Sequence, residues 1–294
     1  MGKTTITLRE EQLPDGTVLS QKCRILRTLR MGEFSITYEA VYGNRKVAVK
    51  EFYNRSCMYR QDNRVVLVNE EDQWEFEKAK QKFVEEARRL SKFAAEPNVV
   101  RVYGYFEANN TVYIIMEFLD GPGLNEYFRK RGRIEAAEMF RMLLPVMRTL
   151  DKIHRSGVIH RDISPDNIKF TRSSSSGEEL KLMDFGSARD YLNRNTYTME
   201  LKDGYAPLEQ YSEHEQGPWT DIYALSAVMY RGITGQRPVR AVRRAEHDDL
   251  RLPSQLGIPI SPEIESILKK GLSIQKEERY QKMLSMIRDV ERFC

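Results

Sequence analysis

The segment Asp120-Gly121-Pro122-Gly123 separates two stretches of chain that follow different periodicities. Before it, short β-rich runs are punctuated by turn residues. "CRILRTLR", "ITYEAVY" and "RKVAVKEFY" are three such runs, parted by "MGE" and "GN", and they predict strands. "VVRVYGYFEANNTVYIIMEFL" predicts a hairpin turning at Asn109-Asn110. One helix interrupts this half. "EFEKAKQKFVEEARRLSKFA" spaces Phe76, Ala79, Phe83, Ala87 and Leu90 at helical intervals, and Pro97 stops it. The stretch from Asn54 to Asp72 is polar and too irregular to assign. After Leu124 the pattern is mainly helical. "AAEMFRMLLPVMRTLDKIHRSG" predicts a long helix ending at Gly157 with a kink at Pro145. "TDIYALSAVMYRGITG" is apolar nearly all round, which predicts a buried helix. The class implied is α+β, in two parts.

With 294 residues, the chain is long enough for ample core. Its 40% hydrophobic and 31% charged residues are those of an ordinary soluble globular protein. The net charge of +4 is mild and gives no ground for expecting nucleic acid as a partner. Cys23, Cys57 and Cys294 are odd in number and far apart, which points to a reducing cytoplasm rather than a disulfide framework. No apolar run approaches the roughly 18 residues that a membrane span needs.

Five signals then occur in a fixed order: "LRMGEFSITY" between two strands, Lys50 ending "KVAVK", Glu86 in "FVEEARRL", "HRDISPDN", and "DFG" at Asp184 to Gly186. Singly each is weak. A lysine ending a strand or a glutamate on a helix is ordinarily a solvated side chain. Together they suit phosphoryl transfer, which is mainly positioning and electrostatics. Lys50 can bridge the α- and β-phosphates of ATP, and Glu86 can hold Lys50 by an ion pair. Glu85 is adjacent but points about 100° away, so only one of the two can face the strand. Asp184 and Asn167 supply the oxygen ligands that Mg²⁺ prefers. Asp162 can accept the proton of an attacking hydroxyl.

This set resembles the eukaryotic-like, Hanks-type serine/threonine protein kinases. "LPDGTVLSQKCRI", "HRDISPDNI" and "LKDGYAPLEQY" are similar to the bacterial branch. The likeness spans about residues 13 to 293. It implies the two-lobed protein-kinase-like fold, an antiparallel sheet with one helix and then a larger, mainly helical lobe, with ATP and Mg²⁺ or Mn²⁺ in the cleft. The implied division is an extension at 1–20, an N-terminal lobe at 21–119 and a C-terminal lobe at 120–294. The implied nucleotide contacts are Leu29, Gly32, Thr37, Ala48, Lys50, Met116, Glu117 and Leu119. Glu209 is similar to the glutamate closing the activation segment, Arg279 to its buried partner, and Asp221 to the aspartate bracing the catalytic loop. Protein substrates are implied, the chain itself among them. Arg161 before the catalytic aspartate permits control by phosphate on Thr196 or Thr198.

Three departures stand out. Arg30 and Ser35 replace two of the three loop glycines, leaving Gly32. Lys169 stands where an apolar side chain underlies adenine, a role its methylene stem can fill. Ser164 replaces the lysine that steadies the transferring phosphoryl group. Lys202, seven residues before Glu209, is the candidate replacement and joins the catalytic set. Two other readings stay open, a pseudokinase-like nucleotide-binding scaffold and a small-molecule kinase. His154 and His247 lie outside the motifs and carry no expected role. "RAVRRAEHDDLR" reads as a solvated basic face able to meet an acidic partner.

Overall fold

A computed structural model describes residues 11–20, 22–173, 177–185, 189–190, 201–211 and 215–294. The chain forms two compact units, Met1–Ala95 with Val100–Leu119, and Glu96–Val99 with Asp120–Cys294.

The first unit is built on strands β1 (Val18–Leu19), β2 (Cys23–Met31), β3 (Ser35–Tyr42), β4 (Arg45–Phe52), β7 (Val102–Ala108) and β8 (Thr111–Glu117). All pair antiparallel, in the order β1-β2-β3-β4-β8-β7. Asn109 and Asn110 turn β7 into β8 with φ of 51° and 58°. Asparagine tolerates that left-handed region better than most residues. Helix α1 (Gln73–Lys92) buries Phe76, Phe83, Ala87 and Leu90, the stripe its sequence spacing predicts. Phe76 and Phe83 both meet the Phe52 ring, at 6.0 and 5.6 Å. Each phenyl side chain so buried contributes about 2–3 kcal/mol.

The stretch left unassigned in the sequence contains a second hairpin, β5 (Met58–Gln61) and β6 (Arg64–Leu67). Asp62 and Asn63 form its turn, both with positive φ. Arg60 from this hairpin reaches a buried carboxylate on the main sheet. Its Nη2 lies 2.7 Å from Glu51 Oε2, and Glu51 is fully buried. The Tyr38 and Tyr113 hydroxyls each donate to the same carboxylate at 2.7 Å. Arg60 also donates to the carbonyls of Glu11 and Asn63. Every oxygen of Glu51 is thus engaged, as a buried charge requires. Burial, reinforced by the Glu51 charge, pushes both phenols above their ordinary range.

The second unit contains α2 (Leu124–Arg131), α3 (Ala136–Arg155), β9 (Val158–Ile159), β10 (Ile168–Ser173), β11 (Gly177–Leu182) and β12 (Arg189–Asp190). It continues with α4 (Pro218–Thr234), α5 (Ala241–Glu246), α6 (Pro262–Gly271) and α7 (Met283–Val290). Helix α3 starts at Glu135, whose carboxylate accepts from the backbone of Ala137 and Glu138. It runs as one element through Pro145, which lies on its exposed face. Helix α4 is buried on nearly all sides, as its apolar sequence predicts. Helix α6 approaches it so closely that a methyl group at Gly271 would strike Ser226. Met283 and Met286 pack into this core from α7. The antiparallel sheet with one helix, followed by a mainly helical part, is the α+β architecture expected.

Candidate active site

Register decides which side chains share a face of the first sheet. Thr37 pairs with Lys50, and Ala48 pairs with Met116. Ala48 and Lys50 are two apart on β4, so all four project from one face, while Tyr38, Glu51 and Tyr113 project from the other. Lys50 Nζ lies 2.8 Å from Glu86 Oε1, with side chains 11% and 6% exposed. Its ammonium also sits 5.5 Å from the Phe83 ring centroid. Glu85 turns outward and pairs with Arg89 at 3.2 Å. Of the neighbouring glutamates, only Glu86 faces the strand.

The glycine-poor loop between β2 and β3 is closed by Gly32 N donating to Ser35 O at 2.8 Å. A Cβ at Gly32 would lie 3.2 Å from that same oxygen. The loop tip is tied to the end of β4, since Arg55 N donates to Glu33 O and Tyr53 N to Phe34 O. Arg30 pairs across the strands with Thr37. Leu29 is 37% exposed, and Leu119 is buried. The Glu117 amide donates to Arg101 O at 2.8 Å.

In the second unit, the loop between β9 and β10 hangs from one buried carboxylate. Asp221, in the first turn of α4, accepts from His160 N, Arg161 N and His154 Nε2, all at 2.8 Å. Burial alone would push its carboxyl up, but the bonds from His154 and His160 outweigh this and hold it below the ordinary range. Arg161 takes φ of 69° and Asp184 φ of 63°. Such left-handed backbone costs roughly 1–2 kcal/mol per residue and persists only where neighbours over-determine it. His160 supplies part of that restraint, with its ring 4.5 Å from the Phe185 ring and its Nε2 3.1 Å from Met183 O.

Asp162 is held from two sides. Asn167 Nδ2 donates to its Oδ2 at 2.7 Å, and Lys202 Nζ lies 3.2 Å from its Oδ1. Lys202 also donates to Ser164 Oγ at 3.0 Å. Burial pushes the Asp162 carboxyl up, with Asp184 adding to the rise and Lys202 and His160 opposing it. The Asn167 amide nitrogen is spent on Asp162, bonding its carbonyl at 2.9 Å as well. Its side-chain oxygen is the acceptor left for a cation. Further along, Arg279 meets Glu209 through two bonds of 2.8 and 3.1 Å, and Thr220 donates to the same carboxylate. Lys169 lies on β10, half-buried and bridged to Gly123. Thr196, Thr198 and Gly186 lie outside the described residues.

His154, which the sequence places outside the motifs, is a buried structural histidine that braces Asp221 from the last turn of α3. Its signal was position, six residues ahead of His160, and that is legible only once the helix end is known. One expectation needs correction, since the basic stretch beginning at Arg240 is not solvated throughout. Arg244 is 4% exposed, bonded to both oxygens of Asp248 and to Leu272 O and Tyr223 Oη. Four fixed acceptors repay its desolvation.

The family model for the protein kinase domain matches residues 24–288. A probable serine/threonine-protein kinase of Clostridium acetobutylicum is 27% identical over 278 residues, covering 90% of this chain and 39% of that protein. The probable serine/threonine-protein kinase PknB of Lactococcus lactis is 27% identical over 287 residues, covering 94% of this chain and 42% of its own length. The chain therefore spans about two fifths of these relatives. The solved apo form of PpkA-294 superposes with a TM-score of 0.82 at 32% identity, over 95% of this chain and 99% of that one. Among the described residues, no helix is long and apolar enough to cross a membrane. By its family match and its fold, the chain belongs to the Hanks-type protein kinase domain family, in its bacterial serine/threonine branch.

Proposed function

We propose that this domain transfers the γ-phosphoryl group of ATP to serine and threonine hydroxyls of proteins, its own among them. The observation that carries this reading is the Asp162 carboxylate held between the Asn167 amide and the Lys202 ammonium. A base so positioned can take the proton of an attacking hydroxyl. Asn167 and Asp184 would hold the divalent cation, for which we favour Mg²⁺. Among the described residues no group of three His, Cys, Asp or Glu gathers to hold a metal unaided. Lys50, fixed by Glu86, would meet the α- and β-phosphates. Leu29, Gly32, Thr37, Ala48, Met116, Glu117 and Leu119 would contact the rest of the nucleotide.

Lys202 is assigned the cationic role left vacant at Ser164, a reading supported by its bond to the serine itself. Arg161 is assigned to a phosphate on Thr196 or Thr198, which would order the segment between them. The free state of Cys23, Cys57 and Cys294 supports a cytoplasmic setting. The test is transfer from radiolabelled ATP to itself and to an added protein, with Mg²⁺ or Mn²⁺. Asp184→Ala and Asp162→Asn should both abolish it. Transfer that survives in both variants would remove these roles. Nucleotide binding without transfer in the unaltered chain would make it a scaffold.

A further inference from the structure

The face of the second unit beside Asp162 is basic. Asp162 and Lys202 share a small cavity with Tyr205, whose backbone amide donates to Lys202 O. Tyr205 is therefore fixed next to the acceptor site. The guanidinium of Arg237 lies 5.7 Å from the Tyr205 ring centroid. Gly204, with φ of +82°, packs so tightly there that a Cβ would meet Pro238 O at 2.5 Å and Arg237 Cγ at 2.8 Å. The Arg237 stem is thus pinned against the segment while its head stays exposed. Arg240 pairs with Asp203, the residue before Gly204, at 3.0 Å, but both side chains are about half exposed. An ion pair so open is heavily screened and easily exchanged.

Arg231 occupies the last turn of α4, within electrostatic reach of Tyr205. Arg133 adds to the same corner, its Cγ 3.4 Å from a Cβ at Gly235, beside Ile134 N donating to Gly232 O. Among the described residues, neither Arg231 nor Arg133 has a carboxylate partner. Among the described residues, the carboxylate paired with these arginines is Asp203, at Arg240, while Asp166, which also acts on Tyr205, is held by Asn125 at 3.0 Å. A helix C-terminus accounts for one arginine at position 231. It does not account for Arg237 over the Tyr205 ring, nor for Arg240 on Asp203 two residues before it.

We infer that Arg231, Arg237 and Arg240 select protein substrates whose acceptor serine or threonine is flanked by aspartate or glutamate. This rests on the kinase reading above. The carboxylate side chains would exchange with Asp203 at Arg240 and take up Arg231 and Arg237, while Asp162 engages the hydroxyl. Each exposed ion pair is worth roughly a 1.4- to 5-fold preference, so three acting together give about 3- to 100-fold, with tenfold near the middle.

The test uses one threonine peptide in three forms, with glutamate, glutamine or lysine at the three positions on either side. Initial rates are compared for the unaltered chain and for Arg231→Glu combined with Arg237→Glu. The glutamate peptide should exceed the glutamine peptide in kcat/KM by about tenfold, mainly through KM, and raised salt should shrink the difference. The double variant should invert the order towards the lysine peptide. Arg231→Gln with Arg237→Gln, checked by its melting temperature, should flatten it. Equal rates for all three peptides would overturn the inference and leave the kinase reading standing. So would an unchanged preference in the folded double variants. Absence of transfer to any peptide and to the chain itself, with ATP bound, would overturn both.

Discussion

Lys202→Ala is the perturbation that separates a catalytic lysine from a decorative one. At 3.2 Å from Asp162 Oδ1, the ammonium interacts by about 5 kcal/mol at an effective dielectric constant of 20. The two side chains are 28% and 19% exposed, and water reduces that figure to about 1 kcal/mol. Two consequences follow from its loss. The transferring phosphoryl group loses a preorganised cation, which costs about 10²-fold in kcat. The Asp162 carboxyl, already raised by burial, loses one of the charges that restrain it. Its folded-state pKa therefore rises further, and the acid limb of the kcat profile moves to higher pH. Binding of ATP changes little. The assay is steady-state phosphoryl transfer from about pH 5 to 9, with nucleotide affinity measured separately. Adding Ser164→Lys to Lys202→Ala should restore part of the loss, since it returns a cation to the same neighbourhood. Unchanged kcat with an unmoved acid limb would refute the reasoning. A gain in kcat would refute it more sharply, for it would mean that Lys202 blocks Asp162.

Three further outcomes are expected. Lys50→Met should abolish transfer and also lower the melting temperature, because it removes the 2.8 Å partner of Glu86, itself 4% exposed, whereas Lys50→Met combined with Glu86→Gln should recover stability but not transfer. Arg279→Met should cost about 3–5 kcal/mol, because it leaves Glu209 charged and nearly sealed from water at 4% exposure; thermal unfolding should show a loss of roughly 10 °C. Mass spectrometry after incubation with ATP should find phosphate on Thr196 or Thr198, and the double alanine variant should lose activity.

The fold was legible where one pattern dominated a long stretch. The α1 stripe from Phe76 to Leu90, the Asn109-Asn110 turn and the all-apolar α4 each specify their element locally. The β5–β6 hairpin escaped because its strands are four residues long and polar at Arg60, Gln61 and Arg64. Its turn signal, Asp62-Asn63, lacks the glycine that makes such turns conspicuous. At the site, the Lys50–Glu86 contact was readable because helix geometry lets only one of two adjacent glutamates face the strand. That Lys202 could reach Asp162 was readable from its place seven residues before Glu209, through the kinase resemblance, whereas its bond to Ser164 was not. The brace of His154 on Asp221 was not, since it joins residues 67 apart through nothing that periodicity records. Arg244 escaped for the same reason, because the four acceptors around it come from three separate segments.

The Arg60–Glu51 contact also governs how the chain can drift over generations. Losing Arg60 alone strands a carboxylate with no access to water, and losing Glu51 alone strands a guanidinium 4% exposed. Neither residue can be replaced singly without a heavy penalty, and an exchange of both for apolar partners is tolerable only if Tyr38 and Tyr113, whose hydroxyls donate to Glu51, change with them. The two positions should therefore vary as a couple among descendants of this sequence. Lineages that shed the β5–β6 hairpin should be those in which position 51 had already become uncharged.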